Sequence, residues 1–209
     1  MKRLLILSLS LVLLLLFRCN KGAGTFTLEG VITDASFNQP LAGAEVSLYG
    51  IAAGNNQYAM IASAVTGADG KYSFTFDRTR TEKYTLYVKK NLYFEQEEEA
   101  YYSQLKLKET NIRNISTTAK SWVEIKIFNN NAANNDHLQF IRQQGKNGCS
   151  ECCFSGITHL YGFQDTSIFC INDGNSLYSI EYAVFGTSNT GILGVTTTPF
   201  DTTVLNLTY

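Results

Sequence analysis

Residues 71–77, Lys-Tyr-Ser-Phe-Thr-Phe-Asp, alternate strictly: Tyr72, Phe74 and Phe76 fall on one side, and Lys71, Ser73, Thr75 and Asp77 on the other. Residues two apart share a face only in an extended chain, so this segment is a strand with one face in a core. Just before it, "Gly67-Ala-Asp69-Gly70" supplies a hairpin turn, because Asp-Gly readily takes the positive φ angles of tight turns. The alternation recurs at Phe26, Leu28, Gly30 and Ile32, at Ala44, Val46 and Leu48, and at Tyr84, Leu86 and Val88. A further strand is expected near Tyr58–Thr66, after a Gly/Asn-rich loop at Gly54–Gln57. Short alternating strands at this spacing predict an antiparallel sandwich.

The second half repeats the pattern less cleanly. In "Ser121-Trp-Val-Glu-Ile-Lys-Ile-Phe128", Val123, Ile125 and Ile127 share a face. An Asn-rich loop, Asn129–Asp136, follows, and strands are expected near Leu138–Arg142, Ser167–Ile171, Leu177–Phe185 (Ile180, Tyr182 and Val184 inward) and Val204–Tyr209. Charged residues make up 17% of the chain, and runs rich in Ala, Glu, Lys and Leu are nearly absent, which again favours strands over helices. Between the halves, "Glu95-Gln-Glu-Glu-Glu-Ala-Tyr101-Tyr102" reads as a solvated connection rather than a cation site. The alternating "Ser103-Gln-Leu-Lys-Leu-Lys108" reads as the last strand of the first sandwich. The expected architecture is all-β: two tandem antiparallel β-sandwiches, over 26–108 and 109–209.

The residues of the first unit carry a resemblance. "Gly30-Val-Ile-Thr-Asp34 … Gln39-Pro40-Leu41-Ala-Gly43-Ala44-Glu-Val46-Ser-Leu48 … Thr66-Gly-Ala-Asp69-Gly70-Lys-Tyr72-Ser-Phe74 … Tyr84-Thr-Leu86" resembles the carboxypeptidase regulatory-like domain, a transthyretin-like β-sandwich. The likeness covers about residues 26–94. It implies a fold and a role as spacer or binding module in exported proteins, and it does not imply catalysis. The second half resembles the C-terminal sandwich found behind such domains in bacterial lipoproteins, through the strand after "Ala119-Lys-Ser-Trp122" and the ending "Pro199-Phe-Asp-Thr-Thr-Val204".

The beginning of the chain reads as an address. Met1-Lys2-Arg3 precedes an apolar run from Leu4 to Phe17, interrupted only by Ser8 and Ser10. Two cations and an apolar run of this length fit a secretory signal peptide and fall short of a membrane span, which needs about 20 apolar residues. "Leu16-Phe17-Arg18-Cys19" resembles a bacterial lipobox, so residues 1–18 are expected to be a lipoprotein signal peptide and Cys19 the lipidated residue, with 19–25 a tether. Arg18 departs from that pattern, which usually has a small residue there; cleavage after "Gly22-Ala23-Gly24" and an uncleaved anchor are the alternatives. The segment after Cys19 lacks an acidic cluster and an adjacent Asp, which favours the periplasmic face of the outer membrane over the cell surface. Loss of residues 1–18 leaves 14 basic residues against 18 acidic ones, a net charge of −4, and nothing in that balance suggests nucleic acid.

Chemistry-bearing residues are few. "Cys149-Ser-Glu-Cys152-Cys153" and Cys170 make an even set of four once Cys19 is set aside. In an oxidising compartment they are expected to form disulfides. Adjacent cysteines bridge only with strain, so Cys149 would join one of the vicinal pair and Cys170 the other. Free buried thiols and a metal or redox site are the other two readings. Cys153, His159 and Asp165 can be written as a nucleophilic triad, but no motif supports it, and His137 reads as a surface residue beside the Asn loop. No phosphate loop, His-Glu-x-x-His helix or Gly-x-Ser-x-Gly elbow occurs, so no catalytic residue, metal or cofactor is expected. Trp122 suits a core or rim position, while Tyr87, Tyr93, Tyr101 and Tyr102 fall at polar-facing positions that could form a platform for glycan. Two functions remain beside a thiol- or metal-active one: a membrane-anchored scaffold contacting another envelope protein through an edge strand or loop, or a ligand-binding lipoprotein.

Overall fold

The structure is a computed structural model that describes residues 24–52, 54, 57–79, 81–130 and 136–209. The signal peptide, Cys19, nearly all of the 19–25 tether and positions 131–135 of the Asn loop lie outside the described residues. Among those described, the chain forms sixteen strands and one short 3-10 turn, Tyr102–Gln104. In the first half they are β1 (Thr25–Asp34), β2 (Gln39–Pro40), β3 (Glu45–Ala52), β4 (Tyr58–Val65), β5 (Lys71–Asp77), β6 (Thr81–Lys89), β7 (Gln96–Tyr101), β8 (Thr110–Ile112) and β9 (Ile115–Thr117). In the second half they are β10 (Lys120–Phe128), β11 (His137–Gln144), β12 (Thr158–Tyr161), β13 (Asp165–Asp173), β14 (Leu177–Val184), β15 (Thr190–Thr196) and β16 (Thr202–Thr208).

Each half holds two sheets. In the first, β2, β1 and β5 form one layer, joined by β8 and β9 along β1, and β4-β3-β6-β7 form the other. The layers enclose Phe26, Leu28, Ile32, Val46, Leu48, Tyr72, Phe74, Phe76, Tyr84 and Leu86, the inward residues of the alternating segments. In the second half β13-β10-β16 faces β12-β11-β14-β15 over Val123, Ile125, Ile127, Leu138, Phe140, Tyr178, Ile180 and Leu207. The all-β sandwich expected from the alternation is what forms. Most pairings are antiparallel, but β8 and β9 run parallel to β1, and β16 runs parallel to β10.

Two glycines explain local close approaches. A Cβ on Gly70, which has φ +69°, would meet the Ile32 carbonyl, so the Asp-Gly turn has to stay glycine there. A Cβ on Gly30 would collide with the Arg113 carbonyl oxygen, which crosses β1 between β8 and β9 and accepts a 2.7 Å hydrogen bond from the Tyr72 hydroxyl.

Three expectations are revised. Gln96–Tyr101 is no loose connection: it is strand β7, pairing with β6 from Val88↔Gln96 to Lys83↔Tyr101, with Ala100 turned into the core. The alternating segment 103–108 is not a strand; it is a turn whose Leu105 and Leu107 plug the end of the core. Thr110–Ile112 and Ile115–Thr117, assigned by sequence to the second unit, hydrogen-bond along β1, so the first sheet runs on past the expected boundary at 108.

The halves meet at a dense junction. The buried Asp34 carboxylate accepts hydrogen bonds from the Ser36 and Phe37 amides and from the Tyr93 hydroxyl, which shapes the turn after β1. That turn presents Phe37 to Phe200, with ring centroids 6.2 Å apart, and Tyr93 packs edge-on against the same Phe200 at 5.4 Å. Asn175 donates to the Ser36 carbonyl, and the Lys146 ammonium lies 4.2 Å from the centre of the Phe94 ring.

Candidate functional site

The outward face of the β4-β3-β6-β7 sheet gathers tyrosines. Successive outward positions are Glu45, Ser47 and Tyr49 on β3 and Lys83, Thr85, Tyr87 and Lys89 on β6, with Ser47 opposite Tyr87 and Tyr49 opposite Thr85. Tyr49 and Tyr87 meet edge to face, centroids 5.4 Å apart, and Tyr58 sits opposite Ile51 at the start of β4. Together with Glu45, Ser47 and Lys89 these three rings line an open hollow of about 380 Å³. A second hollow, of about 510 Å³, adjoins it and shares Glu45 and Lys89. Burial pushes the Tyr87 phenol up to about 12, reinforced by hydrogen bonds to Glu97 and Tyr58. Thr85, at the middle of this face, is fully buried, and its hydroxyl has no hydrogen-bond partner among the described residues.

The four tyrosines expected to form a platform do not stay together. Tyr87 lines the hollow. Tyr101 is on the same face but opposite Lys83, two rows from Tyr87, and is bonded to Glu99 at 3.0 Å. Tyr93 is not a surface ring at all: it is buried at the junction, and burial together with its bond to Asp34 holds its phenol protonated well above the usual range. Tyr102 packs edge-on to Phe26 beneath Arg78. Tyr49 and Tyr58, which sequence reasoning passed over, take their places. The signal for Tyr49 was present, since it completes the outward row Glu45, Ser47, Tyr49.

The acidic run is spent on ion pairs and hydrogen bonds rather than left open to a cation. Glu95 pairs with Lys89 at 3.2 Å, Glu98 with Arg113 at 3.4 Å, and Glu99 with Lys83. Glu98 and Glu99 lie on β7, one outer edge of the sheet, and Glu95 just before it. The opposite outer edge, β4, reads Tyr-Ala-Met-Ile-Ala-Ser-Ala-Val, carries no charge, and among the described residues pairs only with β3. Met60 and Val65 on it are 57% and 69% exposed.

Among the described residues the four cysteines form two disulfides, Cys149–Cys152 and Cys153–Cys170. One staples a tight loop to itself, and the other ties that loop to the core position Cys170 on β13. Both sulfurs of that link are bonded, so Cys153 cannot serve as a nucleophile with His159 as its base. His159 instead meets His137 across β11 and β12, with Nε2 of His137 2.8 Å from Nδ1 of His159. Among the described residues no three His, Cys, Asp or Glu side chains converge as a metal-holding group. Trp122, at the rim of β10, is half-buried.

No family model matches the chain, and no curated protein matches it. Solved structures that it resembles include the TIE protein of Bacillus anthracis, at a TM-score of 0.39 and 15% identity, over 89% of this chain and 34% of that one. The shaft pilin SpaA of Lactobacillus rhamnosus GG matches at 0.36 and 7% identity, over 89% and 97%. Catechol 1,2-dioxygenase of an Acinetobacter species matches at 0.36 and 10% identity, over 49% and 55%. The chain thus spans about half the length of that dioxygenase and a third of the TIE protein.

Proposed function

We propose that this chain is an exported, lipid-anchored envelope protein that serves as a non-enzymatic scaffold and docks another envelope protein along the free edge of β4. The observation that carries the docking reading is the contrast between the two edges of one sheet. An unprotected edge presents unpaired N–H and C=O groups to any extended strand, and proteins that must stay apart block such edges with charge. Edge β7 is blocked by Glu97 and Glu99; edge β4 is eight residues long, uncharged and apolar. The partner that fits is an uncharged extended segment, bound by main-chain hydrogen bonds with Met60 and Val65 contacting its side chains. The first half reads as a carboxypeptidase regulatory-like module, supported by the glycine-dependent turns at Gly43 and Gly70, both at φ +69°.

A photo-crosslinking residue placed at Met60, and separately at Glu97, tests the docking in living cells. One dominant envelope protein captured from position 60 and none from 97 is the expected result; equal capture from both positions, or none from 60, overturns it. The anchor, placed by the lipobox-like sequence at Cys19 and expected at the periplasmic face of the outer membrane, is tested by radiolabelled palmitate. Label and membrane association should both be lost in Cys19→Ser.

The tyrosine hollow favours a second reading, glycan binding. Sugar rings stack on exposed aromatic faces, and Glu45, Ser47 and Lys89 offer hydrogen bonds to hydroxyls. Affinity electrophoresis in gels containing neutral and acidic polysaccharides should show retardation of the native chain that Tyr58→Ala abolishes. Unchanged mobility on every polysaccharide removes this reading and leaves the first intact.

A further inference from the structure

We propose that His137 and His159 form a two-imidazole site for a late first-row divalent cation, with Zn²⁺ and Cu²⁺ as its best occupants. The pair is set by strand register. His137 pairs with Tyr161 and Gln139 with His159 across β11 and β12, so the two histidines are diagonal neighbours on one outward sheet face. Their facing nitrogens lie 2.8 Å apart, with room for one hydrogen between them. Hence one imidazole already directs a lone pair into the gap.

The ring of His137 is held in place. Tyr161 stacks on one side at 4.3 Å and 17°, and Phe185 on the other at 4.3 Å and 5°. The Phe185 amide also donates to the His137 carbonyl, which fixes the neighbouring chain to the strand. An oriented ring loses little freedom on ligation, and that lowers the entropic cost of binding. Zinc–nitrogen bonds of about 2.0–2.1 Å at a tetrahedral angle call for nitrogens about 3.3 Å apart. The gap therefore has to open by about half an ångström. His159 is exposed and can move that far by rotating its side chain.

Loading is balanced without oxidant or net proton release. With the hydrogen of His137 on Nδ1 and that of His159 on Nε2, both rings are neutral and both facing lone pairs are free to ligate. Water completes the coordination, because no third His, Cys, Asp or Glu joins the pair among the described residues. Imidazole donors select Cu²⁺, Zn²⁺ and Ni²⁺ over Ca²⁺ and Mg²⁺, which prefer oxygen. The disulfides remove Cys149, Cys152, Cys153 and Cys170 from competition.

The test is titration of the untagged full chain with ZnSO₄ and CuSO₄, read by calorimetry and by the nitrogen hyperfine pattern of bound Cu²⁺. One equivalent should bind, with two nitrogen donors, and CaCl₂ and MgCl₂ should give no heat. His159→Gln, an exposed change expected to leave the melting temperature alone, should weaken Zn²⁺ at least tenfold, as should His137→Gln. No stoichiometric binding overturns the proposal. So does Zn²⁺ affinity unchanged in His159→Gln, or a Cu²⁺ spectrum with a single nitrogen.

Discussion

The two halves share an architecture and differ in how they hold it together. The first buries aromatic rings: Phe26, Phe76 and Tyr84 contact one another inside it, with Tyr72 and Phe74 alongside. The second has a mainly aliphatic core with Phe140 and Tyr178, and leaves Phe154, Phe163, Phe169 and Phe185 outside. Where buried apolar area is smaller, covalent links take over part of the task, and both disulfides lie in the second half. The rings kept outside are those that form surfaces, including the stack of Tyr161, His137 and Phe185.

This contrast can be broken experimentally. Phe26 is 1% exposed, and Phe26→Ala should cost about 4 kcal/mol in urea unfolding, the largest single effect expected here. A loss below about 1.5 kcal/mol would mean that the first half does not rest on its rings. Replacing Cys153 and Cys170 by Ala opens a link spanning 17 residues and should cost about 3 kcal/mol; replacing Cys149 and Cys152, only 3 apart, should cost about 2. The reverse order would place the second half's stability in the small loop instead of the link to β13. At the junction, Phe200→Ala removes a ring packed against both Phe37 and Tyr93, at about 1 kcal/mol. It should also separate the unfolding of the halves, seen as Trp122 fluorescence and tyrosine dichroism ceasing to change together.

Alkaline pH sharpens the comparison further. Tyr87 keeps its proton to about 12 in the folded chain, against about 10 when unfolded, so the folded state is the better proton binder between these values. Stability present below pH 10 is thus lost as the pH rises through that window. Burial raises Tyr72 and Tyr93 in the same direction, and Tyr178 and Tyr209 of the second half likewise, so alkali should loosen both halves, and the first, which also holds Tyr87, should lose more. Phenolate absorbance followed beside Trp122 fluorescence checks this, and Tyr87→Phe should reduce the loss. The smallest effect expected is that of Met60→Lys: within about 0.5 kcal/mol on stability, while capture of a partner at β4 is lost.

The strands with a strict period were legible from sequence. Tyr72, Phe74 and Phe76 all face inward as the alternation requires, and so do Val123, Ile125 and Ile127. Segment 95–108 shows where pattern misleads. Three consecutive glutamates look like a loop, yet an edge strand accepts them: Glu97 and Glu99 lie on its wet face, while Glu98, on the same side as the buried Ala100, pairs with Arg113. "Leu105-Lys-Leu107" alternates like a strand but had no sheet edge to join, so its leucines serve as a plug. Strands β12 and β15 escaped notice because one is four residues long and the other carries Gly191 and Gly194, which break the apolar signal. Of the site residues, Tyr87 was legible, while Tyr93 was misplaced because its alternation says nothing about a neighbouring half that covers it.

By itself the sequence determined which segments extend, which of their faces are buried, where the glycine turns fall and which cysteines can pair. Those properties are local: they follow from a two-residue period and from φ angles that few residues tolerate. Tertiary structure alone decided that β8 and β9 run along β1, that one sheet edge is charged and the other bare, and that Tyr49, Tyr58 and Tyr87 share a hollow. It also decided that His137 and His159, 22 positions apart, come within 2.8 Å. Such juxtapositions depend on strand order and register, which are set by long-range pairing and leave no periodic trace along the chain.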